Sequence, residues 1–201
     1  RPRSVRRVVL VVLPALFSGT GSTPGELAGQ ANRAVVIGYG PVGRAVHRLL
    51  CDAKLPTVVI DFNLDTVSAL KGEGQAAVFG DASHESILEQ AGMKHASHLV
   101  LTLPHTTDRA AVVAAARVLN SRVRILVRAR YLRERDDLEQ AGANAAVFEE
   151  VEAAVALGRL VLAETGMHRT VAAEKIKDLR LRLILENVVN IRSQRVRSVM
   201  V

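Results

Sequence analysis

Apolar residues recur along this chain in two alternating rhythms. Short unbroken runs such as Ala34–Ile37 and Thr57–Ile60 read as buried strands. Longer stretches with apolar positions three and four residues apart read as helices. On this basis strands are predicted at 34–37, 57–60, 76–79, 98–102, 123–127 and 145–148. Helices are predicted at 41–53, 64–71, 85–91, 107–119, 132–140 and 151–164. In the first helix Val42, Ala45, Val46, Leu49 and Leu50 fall on one side. Gly72, Gly92, Gly142 and Gly166 stand where helices are expected to stop, as glycine does at helix C-termini. Parallel strands need crossover helices, so six alternations of strand and helix predict one doubly wound, parallel, six-stranded sheet of the α/β class. In such sheets ligands bind beyond the carboxyl ends of the strands, where the strand order reverses.

The ends depart from this rhythm. Residues 18–32 are rich in Gly, Ser and Thr and read as a linker. The apolar stretch 8–17 is short and interrupted by Pro14, and with Arg6 and Arg7 before it the segment imitates a signal peptide. Because the chain starts with Arg, residues 1–32 are read instead as a linker or juxtamembrane piece of something larger. The regular unit is expected over 33–166, followed by a helical extension over 167–201. In that extension 171–189 reads as a charged amphipathic helix, with Ile176, Leu179, Leu183, Ile184 and Val188 on a face that needs a partner. Residues 196–201 turn apolar and β-like. No run of eighteen apolar residues exists, so no transmembrane helix is expected.

Composition narrows the function classes. Nearly half of the 201 residues are apolar, mostly Val, Ala, Leu and Ile, which excludes a disordered chain and suits a sheet covered on both faces. Trp is absent and aromatics are few, which does not suit a surface that stacks nucleobases. The formal charge of +7 is concentrated in the first seven residues and in 169–197. The middle is closer to balanced, so the predicted sheet is not a basic nucleic-acid binder, and the basic ends fit an anionic membrane face. Cys51 is the lone cysteine; no intramolecular disulfide is possible, and it is expected to be a packed or idle thiol. The six histidines show no metal-ligand spacing, and no nucleophile–base arrangement emerges.

The chemistry concentrates at strand ends. Gly38-Tyr39-Gly40-Pro41-Val42-Gly43 fits G-x-G-x-x-G between a predicted strand and helix, with Asp61 eighteen residues beyond Gly43. Gly38 permits a tight turn, Gly40 lets the backbone approach a phosphate, and Gly43 lets helix and sheet pack closely. The helix N-terminus offers unpaired N–H groups to that phosphate. A carboxylate at Asp61 accepts hydrogen bonds from ribose hydroxyls and repels a 2′-phosphate, and no Arg follows it; Phe62 and Asn63 come next. NADP is therefore disfavoured. Gly80-Asp81-Ala82 ends the third strand at the same edge, where Asp81 contacts ribose or adenine, or else Asp81 or Ser83 caps the next helix. Thr102 ends the fourth strand, and Arg128 and Arg130 flank the end of the fifth, where one of them faces a phosphate or carboxylate or else both are solvated. The candidate nucleotide site is thus Gly38 to Gly43, Asp61, Phe62, Gly80, Asp81, Ala82, Thr102 and Arg128.

These segments also carry a resemblance. Val36 to Gly43, Val59-Ile-Asp61, Val78-Phe-Gly-Asp-Ala82, Leu99 to Leu103, Ile125 to Arg130 and Leu138-Glu-Gln-Ala-Gly142 occur in order and at close spacing. Together they resemble the RCK (TrkA-N) regulatory domain, most closely its Kef-type potassium/proton antiporter version. The resemblance implies a Rossmann-like fold at the cytosolic face of the cell membrane, attached to a potassium channel or cation/proton antiporter. It implies a homodimer that binds NAD, NADH, AMP, ADP or ATP without turnover and gates transport by rearranging. Arg48 and Arg130 match the arginines of a glutathione site at the Kef-type dimer interface, although the family's contributing Asn has no counterpart after the domain. The tail after Asn190 resembles the lead-in to a CBS domain pair. An NAD-dependent oxidoreductase lacking its substrate domain explains the same glycines and Asp61. An Arg-rich nucleic-acid-binding tail is the other rival, but Asp178 and Glu186 interrupt its positive charge.

Overall fold

The computed structural model describes residues 33–199, with side chains as far as Leu185. The expectations for residues 1–32 and for 200–201 lie outside the described residues. The strands are β1 (Arg33–Ile37), β2 (Thr57–Asp61), β3 (Ala76–Phe79), β4 (Ala96–Leu101), β5 (Arg124–Ala129) and β6 (Ala145–Phe148). The helices are α1 (Pro41–Asp52), α2 (Leu64–Gly72), α3 (Glu85–Gln90), α4 (Arg109–Leu119), α5 (Arg135–Ala141), α6 (Glu149–Glu164) and α7 (Arg169–Val199). Two 3-10 turns, Met93–His95 and Leu132–Glu134, were not read from the sequence.

The six strands form one sheet in the order β3-β2-β1-β4-β5-β6. β1 pairs parallel with β2 and β4, β2 with β3, and β4 with β5. This is the Rossmann-like order, and its reversal point lies between β1 and β4, which places a crevice at their carboxyl ends. The central strand is the most apolar and the most deeply covered. Ala34, Val35, Val36 and Ile37 are buried, as are Val58 to Ile60 of β2 and Leu99, Leu101, Ile125 and Val127 of β4 and β5. An unbroken Val/Ile/Leu run is what a strand covered on both faces requires.

By its contacts the chain falls into two compact units. The first holds 33–128 with 137–146, and the second holds 129–136 with 147–199. In the first, α1 shows a different buried face from the one predicted. Gly43 and His47 are buried and Val46 and Leu50 half-buried, while Val42 and Leu49 are exposed. Gly43 rests directly on the Gly38 carbonyl, which fixes the helix's rotation and turns the 42/49 side outward. Cys51 is exposed too, so of the expected packed or idle thiol the packed alternative is not realised.

In the second unit α6 packs on α7. Ile176 is buried and Leu179, Leu183 and Ile184 are half-buried, which gives the amphipathic face its partner. Gly158 makes the approach possible, since a Cβ there would lie 3.1 Å from Ile176 Cδ1. Arg180 clamps Glu152 with two hydrogen bonds, of 2.5 and 2.9 Å. α7 continues as helix through 190–199, so the β-like character expected from Val196 onward is not realised up to Val199. Among the described residues no helix is long and apolar enough to cross a membrane.

Candidate functional site

A cleft of about 630 Å³ opens at the carboxyl ends of the strands of the first unit. Eleven of the predicted site residues line it: Gly38, Tyr39, Gly40, Pro41, Asp61, Phe62, Gly80, Asp81, Ala82, Thr102 and Arg128. Ile37, Ile60, Leu103, Pro104 and Thr107 complete the lining. These five were not named as site residues, although Ile37, Ile60 and Leu103 fall in segments that carry the resemblance. They are strand-end residues and part of the β4–α4 loop, and only the topology brings them to the crevice.

The glycine turn is built from constraints that differ at each position. Gly38 has φ +91°, a conformation that strains L side chains, and its N–H donates to the Ile60 carbonyl at 2.8 Å. Gly43 is required by packing. A Cβ there would overlap the Gly38 carbonyl oxygen and lie 2.8 Å from Thr102 Oγ1. Gly40 is different, because a Cβ there would meet nothing within 4 Å. Its backbone is extended, at φ −66° and ψ −174°, which any residue adopts. The fold by itself therefore asks for no glycine at 40.

Gly40 is also the N-cap of α1, and it caps without a side-chain hydrogen bond. Pro41 occupies the first turn, which contains no acidic residue. α2 is capped by Asn63 and α4 by Asp108, whose side chains accept from Thr66 and Ala111 N–H. Of these three helices, α1 alone keeps its N-terminal field available to an anion. Val42 and Gly43, predicted as part of the site, are not in the cleft's lining.

Two polar side chains lock the turn. Asp61 Oδ2 accepts from the Tyr39 N–H at 2.5 Å, and Oδ1 accepts from the Asn63 N–H at 2.8 Å. Thr102 is buried, and its hydroxyl lies 3.0 Å from the Ile37 carbonyl and 2.9 Å from that of Gly38. Each Asp61 oxygen retains a further lone pair toward the cleft's contents.

Asp81 is exposed, and its Oδ1 accepts from Ser83 N–H at 2.8 Å. Hydrogen bonds from Ser83, backbone first and side chain second, hold its carboxyl below the usual carboxylate value, with His84 adding a smaller pull in the same direction. The N-cap of α3 is His84, so neither Asp81 nor Ser83 is the cap that the sequence allowed. Gly80 takes φ +149°, and a Cβ there would strike Ile87 at 2.6 Å. Phe62 is 73% exposed and stands with its ring 5.8 Å from that of Phe79, tilted by 31°. Tyr39 turns its ring inward against the Val59, Val67, Leu70 and Ala77 cluster, and burial pushes its hydroxyl pKa up.

Arg128 belongs to β5 rather than to the loop after it, and its Nη1 donates to the Thr102 carbonyl at 3.3 Å. Arg109, missed by the sequence reading, is buried, and its Nη1 donates to the Arg128 carbonyl at 3.2 Å. An Arg directly after the capping Asp108, at the head of an Ala/Val-rich helix, was the available signal. Arg48 lies exposed on α1 in the first unit, whereas Arg130 lies in the second, 5.1 Å from the Tyr131 ring centroid.

A Rossmann-like sheet with a glycine turn, a helix N-terminus without a side-chain cap and a carboxylate at the end of β2 is the arrangement found in dinucleotide-binding Rossmann domains. The family model of the TrkA-N domain matches residues 34–149, and this chain belongs to that family. The putative cation/proton antiporter YbaL of Escherichia coli strain K12 is 36% identical over 134 residues. That match covers 67% of this chain and 24% of YbaL, so the chain spans about a quarter of this relative's length. The crystal structure of the TrkA-N domain of YbaL from E. coli superposes with a TM-score of 0.63 at 35% identity, covering 65% of this chain and 96% of that one. The Kef CTD of Shewanella denitrificans, in its AMP-bound form, shares the fold with a TM-score of 0.63 at 24% identity, over 79% of this chain and 99% of that one. The expected resemblance to the TrkA-N domain, and to its Kef-type version, is thus met.

Proposed function

We propose that this chain is a ligand-sensing regulatory domain of cation transport, and that its cleft holds an adenine nucleotide (NAD, NADH, AMP, ADP or ATP) without turning it over. One observation carries the reading: position 40 is glycine at a helix N-terminus where the fold itself needs none. A phosphate seated against that backbone supplies the missing reason. Asp61 then receives the ribose hydroxyls on its remaining lone pairs and disfavours a 2′-phosphate. Phe62 offers its open face to the adenine, Asp81 reaches the ribose or the adenine edge, and Arg128 stands ready for a second phosphate. The AMP-bound Kef CTD and the antiporter YbaL support the ligand class and the transport setting.

In this reading the domain works at the cytoplasmic face of the membrane as a homodimer, joined to a transport domain of its own or a separate chain. Residues 33–166 form the sensing domain, 1–32 the connection and 167–201 the extension toward a further domain. A nucleotide gates transport only if it binds two arrangements of the dimer unequally, by typically about 1–3 kcal/mol of coupling. Arg48 and Arg130 are candidates for a second ligand between subunits.

Isothermal titration with NADH, NAD, AMP, ADP and ATP tests the ligand class. Saturable binding, weakened at least about tenfold in Asp61→Ala through the loss of hydrogen bonds to a charged group, is expected. Absence of binding by folded protein overturns the nucleotide reading. Consumption of NADH with a small substrate overturns the claim that nothing is turned over.

A further inference from the structure

His47 is a buried titratable side chain that does not line the cleft, yet it is wired to the cleft's most sensitive segment. It sits in α1, six residues beyond Pro41, which is about 9 Å along the axis from the helix N-terminus. Its Nδ1 lies 3.3 Å from the Tyr39 hydroxyl and its Nε2 lies 3.5 Å from Cys51 Sγ. The Tyr39 and His47 rings meet edge to face, 5.5 Å apart at 71°. Tyr39 stands between Gly38 and Gly40, and its own N–H is held by Asp61. A proton on His47 is therefore one side chain away from the backbone expected to carry a phosphate.

The geometry points to His47 as a proton-sensitive positioning residue of the glycine turn, through which acidification tightens the binding of an anionic adenosine diphosphate compound. The inference rests on the nucleotide reading of the cleft. In the neutral ring one nitrogen accepts: the Tyr39 hydroxyl donates to Nδ1 and Nε2–H points at the Cys51 sulfur. In the protonated ring Nδ1–H donates to the Tyr39 oxygen, and Nε2–H keeps its direction. Both states satisfy the pair, so the proton reverses one hydrogen bond without breaking the packing. The new charge also adds to the positive end of α1.

Few other charges compete. Arg44 and Arg48 on α1, and Glu73 at the C-cap of α2, act on Tyr39 alongside Cys51. Gln75, whose Oε1 lies 3.8 Å from Cys51 Sγ, is neutral. α1 packs on β1 and β2, whose residues 34–37 and 58–60 are apolar and buried, with Arg33, Thr57 and Asp61 at the strand ends. Burial pushes the His47 pKa below the ordinary 6.5, so the ring is neutral at pH 7 and free to charge when an anion arrives.

Binding and protonation are linked reciprocally. A unit charge acting on a phosphate across about 9 Å at an effective dielectric near 20–40 changes affinity by roughly fivefold to twentyfold. The probe is ADP-ribose, whose pyrophosphate does not titrate between pH 5 and 8. Its Kd is measured across that range for the full chain, for His47→Gln, and for His84→Gln and His105→Gln as controls. The expected result is a Kd that falls at least threefold toward acid in the wild type and in both controls, and stays flat in His47→Gln. An equal slope in His47→Gln overturns the inference while leaving the nucleotide reading intact. No binding at any pH removes the nucleotide reading and the inference with it. If His47→Gln fails to fold, the His47 ring protons of the wild type are titrated by NMR instead. A higher pKa with ADP-ribose bound supports the linkage, and an unchanged pKa overturns it.

Discussion

Substituting Gly43 and Gly40 separately by alanine distinguishes what the fold needs from what a ligand needs. At Gly43 the new methyl would overlap the Gly38 carbonyl oxygen and lie 2.8 Å from Thr102 Oγ1. The first obstacle is backbone, so no rotamer change relieves it. Overpacking of this severity costs about 3 kcal/mol, against which alanine's better helix propensity returns at most about 1 kcal/mol. A net loss of about 2 kcal/mol lowers Tm by about 4–8 °C in a chain of this size. At Gly40 the methyl meets nothing within 4 Å and the backbone is extended, so Gly40→Ala changes stability by no more than about 1 kcal/mol, the weaker N-cap included. If a phosphate lies against Gly40, however, the same methyl intrudes on it and weakens binding more than tenfold, about 1.4 kcal/mol or more. Urea denaturation and nucleotide titration of both variants provide the assay. Gly43→Ala as stable as the wild type would refute the packing argument. Gly40→Ala binding as tightly as the wild type would refute the phosphate contact.

Thr102→Val keeps the shape and removes the hydroxyl that reaches the Ile37 and Gly38 carbonyls, so a loss of about 1–2 kcal/mol in denaturant unfolding is expected. Phe62→Ala removes a ring that is 73% exposed, so thermal stability stays within about 0.5 kcal/mol while nucleotide affinity drops severalfold by titration. Because the folded pKa of His47 lies below the ordinary 6.5, the unfolded chain binds more protons just below that pH. Stability therefore falls as pH drops from about 6.5 toward the folded pKa, and urea midpoints of His47→Gln lack that component. Asp81 acts lower on the scale: its depressed carboxyl contributes stability above the ordinary 3.8 that is lost as pH falls through the folded value, a component absent from Asp81→Ala.

Much of the fold was legible because β1, β2, β3 and β6 are apolar runs that end at a glycine or a carboxylate. The run 34–37 is buried on both faces, and such a segment offers few alternatives. The order of the strands was legible in outline from the glycine turn after β1, which belongs at a reversal point. The rotation of α1 was not legible. Periodicity favoured the 42/45/49 side, but the contact between Gly43 and the Gly38 carbonyl decided it, and that contact is tertiary. The burial of His47 and the exposure of Cys51 follow from the same rotation. Arg128 was placed at a strand end because β5 was read two residues short, and strand ends depend on pairing more than on local pattern. The tail misled in another way. Val196 and Val199 are β-branched and apolar, yet helix continues through 196–199 from a long charged segment.

For the site, the glycines, Asp61 and Gly80-Asp81-Ala82 announced themselves by type and spacing. Their local duties did not. Asp61 spends one lone pair of each oxygen on backbone N–H groups, and Thr102 holds the turn from across the reversal point. Neither duty has a sequence signature, since each depends on which strand lies next to which.

Amide chemical-shift mapping of the isotope-labelled chain with NADH and with AMP tests the central claim most directly. Saturable shifts are expected, concentrated at Gly38, Tyr39, Gly40, Asp61, Phe62, Asp81 and Thr102, around the cleft at the carboxyl ends of the strands. Shifts confined to other surfaces, or none at saturating nucleotide, would contradict it.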